Sequence, residues 1–510
     1  MLEINSSLNL KLSDAIVFFS CQDNQNKIID SLSFDDSVKN ALKKRAEEEE
    51  FTAKNGQICS IDFIDDCAKK IYLVGLGKSD QITFANIKNS IASISRTIQG
   101  SSIKEMSIIC NSCLGKTNKK LGEAIALGVL LGAYRFSEYK KEKPKSSIEK
   151  CYVCFTEKLS DEDKKTFDDG LNSGCLIAKN VCFARDLVNT PTNDLYPEIF
   201  AKKAIELSEK SKGRVSVEVL DIEECKKLGM NLFLSVGQGS GREAKFIVLS
   251  WKSKKETKEK RKKICLIGKS VMYDTGGYCI KPGDYMAGMK TDMSGGASVI
   301  SLFSILAETS EYDNLIDYDV YGILPSCENM VSGKATYPDD IVKAMDGTNV
   351  EIVNTDAEGR LILADSITYA KTKLEVDAIV DIATLTGSCM VALGAKYAGV
   401  FGNERALIDA FMSSSQAEGE LTWELPLAEE EYAADLKSDI ADIKNIWKGR
   451  FGGSIEGALF LKHFVGDTKW IHVDIAGPSN NLGGAKGITP SGGTGWGVQT
   501  FISFLQSVKI

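Results

Sequence analysis

Histidine is nearly absent from this chain. Only His463 and His472 occur among its 510 residues. Two histidines exclude an H-E-x-x-H zinc site and any metal site built from several imidazoles. They leave little basis for a Ser-His-Asp triad, and the G-x-S-x-G turn of many serine hydrolases is also missing. Any catalytic chemistry must therefore come mainly from other side chains.

The chain also lacks a long apolar run and an excess of basic residues. Its most apolar helical stretch, 124–134, is too short to span a bilayer. The N-terminal segment has no basic region ahead of its apolar part, so it does not resemble a signal peptide. A net charge of −8 argues against a general nucleic-acid binder. We therefore expect a cytoplasmic protein that has no membrane partner.

Two Gly-Lys-Ser turns, 77–79 and 268–270, invite comparison with a phosphate-binding loop. A phosphate loop needs a further glycine five positions before the glycine of this turn. Tyr72 and Lys263 occupy those positions here. The sequence therefore disfavours a nucleotide triphosphatase.

Cysteine is frequent, with 14 residues. Without a secretory signal, these residues are expected to be reduced thiols. The pairs Cys110/Cys113 and Cys151/Cys154 have the form of a zinc site, but the intervening stretch, 114–150, is about twice the usual length. Because both pairs lie in apolar, strand-like runs, we interpret them as small core residues.

Strand-like and helix-like patterns alternate along the whole chain, which predicts the α/β class. The first part contains the strand-like runs DAIVFF, GQICSIDFI, KKIYLVGLG, EMSIIC and EKCYVCF. The second part contains KFIVLSW, KICLIG, YDVYGIL, VEIVNTD, VDAIVDIATL and WIHVDIAG. We predict a smaller N-terminal α/β domain at 1–158, a linking helix at 159–190, and a larger α/β domain at 191–510. The larger domain should have a mixed central sheet flanked by helices.

The densest group of acids, lysines and glycines lies at 268–297. Lys269 directly follows the strand-like run ICLIG, and Asp274, Lys281 and Asp292 come soon after it. Ligands of open α/β sheets bind at the carboxyl ends of the strands. We therefore expect these side chains to meet at such an edge.

Asp356 and Glu358 follow the predicted strand VEIVN. In an extended segment, residues two apart point to the same side. Several carboxylates at one place repel one another unless a cation is present, and oxygen-rich clusters typically hold divalent cations. From the residues alone, a two-metal hydrolase and a set of helix caps and turns both remain open.

The same two stretches resemble the cytosol (leucine) aminopeptidase family. Its octapeptide NTDAEGRL is present unchanged at 354–361. A second pattern, G-K-x-x-x-[FY]-D-[ST]-G-G followed by I-K-P and D-M-x-G-G-A, matches within 268–297. Similarity continues through RDLVNTPTNDLYP, SGKATYPDDIV, DIATLTGSCMVALG, SDIADIKNI and HVDIAGP, and it thus covers nearly everything from about Ala184 onward. Thr275 and Ser294 are mild departures that affect only the detail of the pocket.

The resemblance implies a macro-like type for the N-terminal α/β domain at 1–158. It also implies a metallopeptidase with two divalent metal ions, zinc or manganese, in the domain at 191–510. Lys269, Asp274 and Asp292 would serve one ion and Asp356 the other. Asp274 and Glu358 would be shared between them. A lysine can ligate a metal only as the neutral amine, because an ammonium has no lone pair.

The implied reaction is release of an N-terminal amino acid, with leucine and other apolar residues preferred. A hydroxide shared by the two ions would attack the peptide carbonyl, and Lys281 would stabilise the oxyanion. Arg360 would hold a bicarbonate that acts as the general base. The positions that match the pocket for the first side chain are Met289, Thr384, Leu385 and Gly387. The resemblance also implies a homohexamer.

Two other interpretations remain. A DNA-binding regulatory protein with the peptidase fold would have to depend on the basic segment KSKKETKEKRKK, 252–263, which we interpret as a solvated hairpin loop between two strands. An inactive scaffold is disfavoured because every proposed metal ligand is present.

Overall fold

The computed structural model describes residues 2–7, 13–31, 34–65, 68–115, 117–142, 148–257, 260–449 and 451–510. The chain divides into two units, Met1–Cys182 with Gly483–Ser491, and Phe183–Leu482 with Gly492–Ile510. One long helix, Asp161–Asn189, contributes to both. Within the described ranges, every helix is too short or too polar to cross a membrane.

The first unit is a six-stranded sheet with helices on both faces. Its strands are β1 (Glu3–Ser7), β2 (Ala15–Ser20), β3 (Ile58–Asp65), β4 (Ala68–Gly75), β5 (Glu105–Cys110) and β6 (Lys150–Phe155). Its helices are α1 (Gln25–Ser31), α2 (Asp36–Glu48), α3 (Phe84–Ile98), α4 (Lys119–Ala133) and the first part of α5 (Asp161–Asn189). The strand order is β1-β6-β5-β2-β4-β3, and only β3 runs antiparallel to its neighbour.

The apolar run of β2 shows why this sheet is covered on both sides. All six of its residues are buried. Ala15 and Val17 face a core that includes residues of α3 and α4, whereas Ile16 and Phe18 face a second core that includes residues of α2. Parallel strands buried on both faces are continuously apolar, as this one is.

The paired cysteines are core residues, as predicted. Cys110, Cys113 and Cys151 belong to one core of this unit, and Cys154 belongs to the core on the other face of the sheet. Cys151 and Cys154 therefore cannot ligate one ion. Burial also raises the pKa of the Cys151 thiol, which disfavours the thiolate that zinc requires.

The second unit contains a larger sheet. Its strands are β7 (Val215–Leu220), β8 (Lys245–Trp251), β9 (Lys263–Gly268), β10 (Ser270–Asp274), β11 (Asp319–Asn329), β12 (Ile341–Lys343), β13 (Asn349–Glu351), β14 (Ala378–Ala383), β15 (Ala398–Gly402), β16 (Thr422–Glu424), β17 (Ile443–Lys444), β18 (Lys469–Asp474), β19 (Asn480–Asn481) and β20 (Gly492–Gly493). Its helices are the last part of α5 and α6 (Pro197–Lys210), α7 (Ile222–Lys227), α8 (Asn231–Gly237), α9 (Gly283–Met286), α10 (Ser294–Glu308), α11 (Glu358–Tyr369), α12 (Gly387–Leu393), α13 (Arg405–Glu418), α14 (Glu429–Tyr432), α15 (Gly453–Val465) and α16 (Val498–Ser507).

The main sheet of the second unit has the order β16-β15-β18-β14-β9-β11-β8-β7, and β10 pairs with the end of β11. The central pairs β18–β14, β14–β9 and β9–β11 are parallel, whereas β11–β8 and β8–β7 are antiparallel. The predicted α/β class with a mixed central sheet is therefore confirmed.

The interpretation of 252–263 as a hairpin loop is wrong. Strands β8 and β9 do not pair with each other, because both pair with β11, one on each side. The segment therefore connects two strands that are separated by a third. Lys258 and Glu259 of this segment lie outside the described residues.

A buried acid ties helix α11 to helix α8. Met230, the residue before α8, offers no side-chain cap to the helix. Asp365 of α11 takes that role, because its Oδ2 accepts the Phe233 backbone N–H at 2.9 Å. Its Oδ1 accepts the Met345 N–H, also at 2.9 Å. Asp365 is fully buried, so both N–H groups depend on it for an acceptor.

We expect Asp365→Ala to destabilise the second unit by about 2–4 kcal/mol, because it leaves the buried Phe233 N–H and the partly buried Met345 N–H without an acceptor. All five tryptophans lie in this unit, so tryptophan fluorescence in urea reports its unfolding alone. Asp365→Asn is the control, since it keeps one carbonyl acceptor and should lose less. Unchanged urea midpoints in both variants would contradict the capping role.

Candidate metal centre

Polar side chains of the second unit meet where the central parallel strands end. Lys269 directly follows β9, Asp274 is the last residue of β10, and Thr384 directly follows β14. Because β9, β11 and β14 are parallel neighbours, their carboxyl ends lie at one edge of the sheet. The expectation that Lys269, Asp274, Lys281 and Asp292 meet near such an edge agrees with the ion pairs Lys269–Asp292 and Lys281–Asp274.

Lys269 lies at the centre of the group and is only 2% exposed. Its Nζ contacts Asp292 Oδ1 at 2.8 Å and Glu358 Oε1 at 2.7 Å. It also donates to the Thr384 carbonyl at 2.9 Å. Burial alone would lower the pKa of Lys269, but the surrounding carboxylates, chiefly that of Asp292, outweigh it and raise the pKa.

Two glycines allow this crowding. A Cβ on Gly295, in the first turn of α10, would lie 2.2 Å from the Ile382 carbonyl oxygen. A Cβ on Gly359 would lie 2.7 Å from the Nζ of Lys269. A larger residue at Gly295 would push α10 away from the strand ends, and one at Gly359 would displace the Lys269 side chain.

Lys281 forms a second ammonium–carboxylate group beside the first. Its Nζ lies 2.7 Å from Asp274 Oδ2 and also contacts Asp356 Oδ1. Asp274 is fixed from its other side, because its Oδ1 accepts the Gly276 N–H at 2.9 Å and the Asn329 side-chain N–H at 2.8 Å.

Three acids come close enough together to hold one ion. Carboxylate oxygens of Asp274, Asp356 and Glu358 all lie within 4.8 Å of one another. Burial, and then the charge of Asp274, raises the pKa of Asp356 to about 6. Burial likewise raises the pKa of Asp292 well above its ordinary value. Burial thus disfavours the charged form of these acids, and the charges of neighbouring carboxylates add to the effect.

Two buried oxygens in the group have no hydrogen-bond donor among the described residues. They are Asp292 Oδ2 and Glu358 Oε2. A buried carboxylate oxygen that is not paired is costly unless a cation completes its surroundings. The donor set, carboxylate oxygens with one amine, therefore fits divalent metal ions.

The geometric reason given for the pairing of Asp356 and Glu358 is wrong. Strand β13 ends at Glu351, and Glu358 is the first residue of helix α11. The two carboxylates come together because a turn leads into a helix N-terminus, where negative side chains are favoured. The proximity was predicted correctly, but the extended backbone was not.

Arg360 is buried, and its guanidinium contacts Asn445 and Glu456, which lie outside the group of four acids. Its Nη1 donates to the Asn445 carbonyl at 2.6 Å and to Glu456 Oε1 at 3.1 Å. A Cβ on Gly457 would lie 3.5 Å from the other terminal nitrogen, Nη2. One side of the guanidinium is thus fixed, while a residue without a side chain lies beside the other.

The residues predicted to line a pocket differ in their surroundings. Thr384 is part of the cluster, since its hydroxyl donates to Asp292 Oδ1 at 2.7 Å. Leu385 packs close to Gly359, one residue from Glu358. Met289 is half-buried in the short turn before Asp292, and Gly387 is exposed at the start of α12.

Sequence reasoning missed the residues that orient the acids and the arginine. Asn329 donates to Asp274, while Asn445 and Glu456 accept from Arg360. Asn445 lies within SDIADIKNI, which was recognised only as part of the resemblance. Nothing in the spacing of Asn329 or Glu456 indicates that they approach the site, because they come from distant parts of the chain.

Buried acids and lysines that converge at the carboxyl edge of an α/β sheet are typical of a metal-dependent hydrolase. Comparison with known proteins narrows this class. The model of the cytosol aminopeptidase family catalytic domain matches residues 182–502, and the model of its N-terminal domain matches residues 16–143.

Individual proteins agree with the family models. A probable cytosol aminopeptidase of Aquifex aeolicus is 37% identical over 92% of this chain and 91% of its own length. One of Persephonella marina is 35% identical over 96% of each chain. Among solved structures, the bottromycin maturation enzyme BotP in complex with Mn aligns with a TM-score of 0.82 at 28% identity, covering 97% of this chain and 99% of its own. The chain therefore belongs to the cytosol aminopeptidase family, which consists of metal-dependent aminopeptidases.

Proposed function

We propose that this chain releases N-terminal amino acids, leucine and other apolar residues above all, from peptides with the help of two divalent metal ions. The observation that carries the proposal is the cluster of four carboxylates near the strand ends, of which Asp274, Asp292 and Glu358 are buried and Asp356 is half-buried. Asp292 and Glu358 each keep an oxygen without a donor among the described residues. The manganese in the BotP complex shows that a structure of similar fold binds such an ion.

The metal ligands we propose are those that the sequence indicated. Lys269, Asp274 and Asp292 would hold one ion and Asp356 the other, and Asp274 and Glu358 would be shared. Lys269 would hold its ion as the neutral amine, because an ammonium has no lone pair. Zinc and manganese both accept this mixture of oxygen and nitrogen donors.

When bound, the ions would polarise the peptide carbonyl and lower the pKa of water. Side chains of the protein would stabilise the oxyanion, bind the bicarbonate and surround the substrate. Lys281, already beside two of the acids, places an ammonium where negative charge develops on the carbonyl oxygen. Arg360, with one side fixed by Glu456, would hold a bicarbonate that serves as the proton acceptor. Met289, Thr384, Leu385 and Gly387 surround the first side chain of the peptide.

We further propose a cytoplasmic homohexamer, in keeping with the name of the family and the resemblance of the sequence. DNA binding gains no support from the described residues. Lysines of the basic segment pair with acids, Lys252 with Asp319 at 3.0 Å, Lys254 with Asp313 at 3.0 Å, and Lys262 with Asp377 at 2.9 Å. Ion-paired lysines are less available to phosphates.

The proposal is tested with leucyl p-nitroanilide in the presence of Mn²⁺ or Zn²⁺. We expect release of p-nitroaniline that a chelator abolishes and added metal restores. The N-acetylated substrate is the matched control, and it should not be cleaved, because an aminopeptidase needs the free amine. Absence of hydrolysis with either metal, or cleavage of the acetylated substrate, would contradict the proposal. Digestion of a peptide library then gives the preferred first residue.

A further inference from the structure

The turn that follows strand β14 contacts the cluster through a single residue. Thr384 accepts a hydrogen bond from the Lys269 ammonium through its carbonyl, at 2.9 Å. It donates one to Asp292 through its hydroxyl, at 2.7 Å. Thr384 therefore fixes two of the proposed ligands of one ion, and anything that moves this turn moves both of them.

A buried carboxylate holds the same turn in place. Asp474 is the last residue of β18 and lies opposite Ala383, the last residue of β14. Its Oδ2 accepts the Thr386 hydroxyl at 2.6 Å, and its Oδ1 accepts the Leu385 backbone N–H at 3.2 Å. The Ala476 N–H also donates to Oδ1, at 3.1 Å.

Burial of the Asp474 carboxylate is energetically unfavourable, which indicates that this residue has a functional role. Asp474 is fully buried, and burial raises its pKa, so the fold places an acid where charge is disfavoured. Its side chain accepts from the two residues that directly follow Thr384 and from the chain beyond β18. Three donors, coming from two neighbouring strand ends, leave the carboxylate with a single orientation.

We propose that Asp474 is a positioning residue of the metal centre, acting through the turn 384–386 to hold Lys269 and Asp292 in the geometry that binds one of the two ions. This inference depends on the proposed two-metal function. It assigns a role to a residue that touches neither the metal nor the substrate. Outer partners of this kind commonly change metal affinity 10–100-fold.

Asp381 provides a matched comparison on the neighbouring strand. It is also fully buried, and it is paired with His472 Nδ1 at 2.5 Å and with the Trp470 indole N–H at 2.7 Å. These contacts join β14 to β18 in mid-strand and do not involve the turn. Replacing Asp381 therefore perturbs the same two strands without releasing Thr384.

The test is a Co²⁺ titration of the chelator-treated protein, followed by visible absorption and calorimetry. We expect the wild type to bind two ions. In Asp474→Asn, the affinity for one of them should fall about 10–100-fold while the other is unchanged. Thr386→Val removes only the hydroxyl donor and should cause a smaller loss at the same ion. Asp381→Asn should lower the unfolding midpoint and leave both affinities unaltered.

Kinetics provide a second readout. At limiting metal, Asp474→Asn should show a lower kcat with KM for leucyl p-nitroanilide nearly unchanged, and excess metal should restore kcat. Wild-type affinities for both ions in folded Asp474→Asn would overturn the inference, as would an equal loss in Asp381→Asn. If Asp474→Asn fails to fold, Thr386→Val decides the question by the same titration. Failure of the wild type to bind any Co²⁺ would instead overturn the proposed function.

Discussion

Replacing Glu358 with glutamine is expected to lower kcat/KM for leucyl p-nitroanilide by about a thousandfold or more, which corresponds to about 4 kcal/mol. Glu358 Oε1 contacts the Lys269 ammonium at 2.7 Å, and its Oε2 is buried without a donor among the described residues. An amide at this position removes one negative charge and directs N–H groups toward the place where cations are expected. Metal content should therefore fall together with activity.

Glu375→Gln is the control for the change of charge. Glu375 is exposed at the far end of the helical segment that begins with Glu358, and it should tolerate the change with activity within about twofold of the wild type. Circular dichroism should show both variants folded. Equal activity of Glu358→Gln and the wild type would remove Glu358 from the site.

The sequence predicted which residues meet but not how the backbone brings them together. Lys269 and Asp274 could be placed because glycine-rich turns at strand ends have a known location in α/β sheets. Asp356 and Glu358 were placed on an extended segment, whereas the structure begins a helix at Glu358. Side-chain alternation alone cannot distinguish a strand end from a turn that leads into a helix, since the resulting proximity is the same.

Contacts between distant parts of the chain could not be predicted. Asn329 reaches Asp274 because β10 pairs with the end of β11, and this register depends on the folded sheet. The prediction of a hairpin loop at 252–263 is wrong for a similar reason. Two strands adjacent in sequence suggest a hairpin, but β11 inserts between them. Strand order depends on the packing of the whole unit, which local patterns do not contain.

Replacing Lys281 with methionine is the second change for which we expect a large effect. It should lower kcat by a factor of about 10²–10³ with little change in KM. The Nζ of Lys281 lies 2.7 Å from Asp274 Oδ2 and contacts Asp356, so its charge stands at the edge of the acid cluster. Methionine keeps the length of the side chain and removes the charge. Lys290→Met, in which the lost ammonium donates to the Asn189 carbonyl at 2.5 Å, should keep kcat within a few-fold.

The sign of the change in metal affinity separates two roles for Lys281. If its ammonium stabilises charge on the substrate, its removal lowers kcat while metal binding is unchanged or stronger, because a positive neighbour repels a divalent cation. If Lys281 instead serves to hold Asp274 and Asp356 in place, metal affinity falls together with kcat, and Lys281→Arg restores both. Measuring kcat and Co²⁺ affinity on the same preparations decides between the two. We expect opposite signs, because Asp274 is already fixed by Asn329 and Gly276 and does not need the lysine for its position.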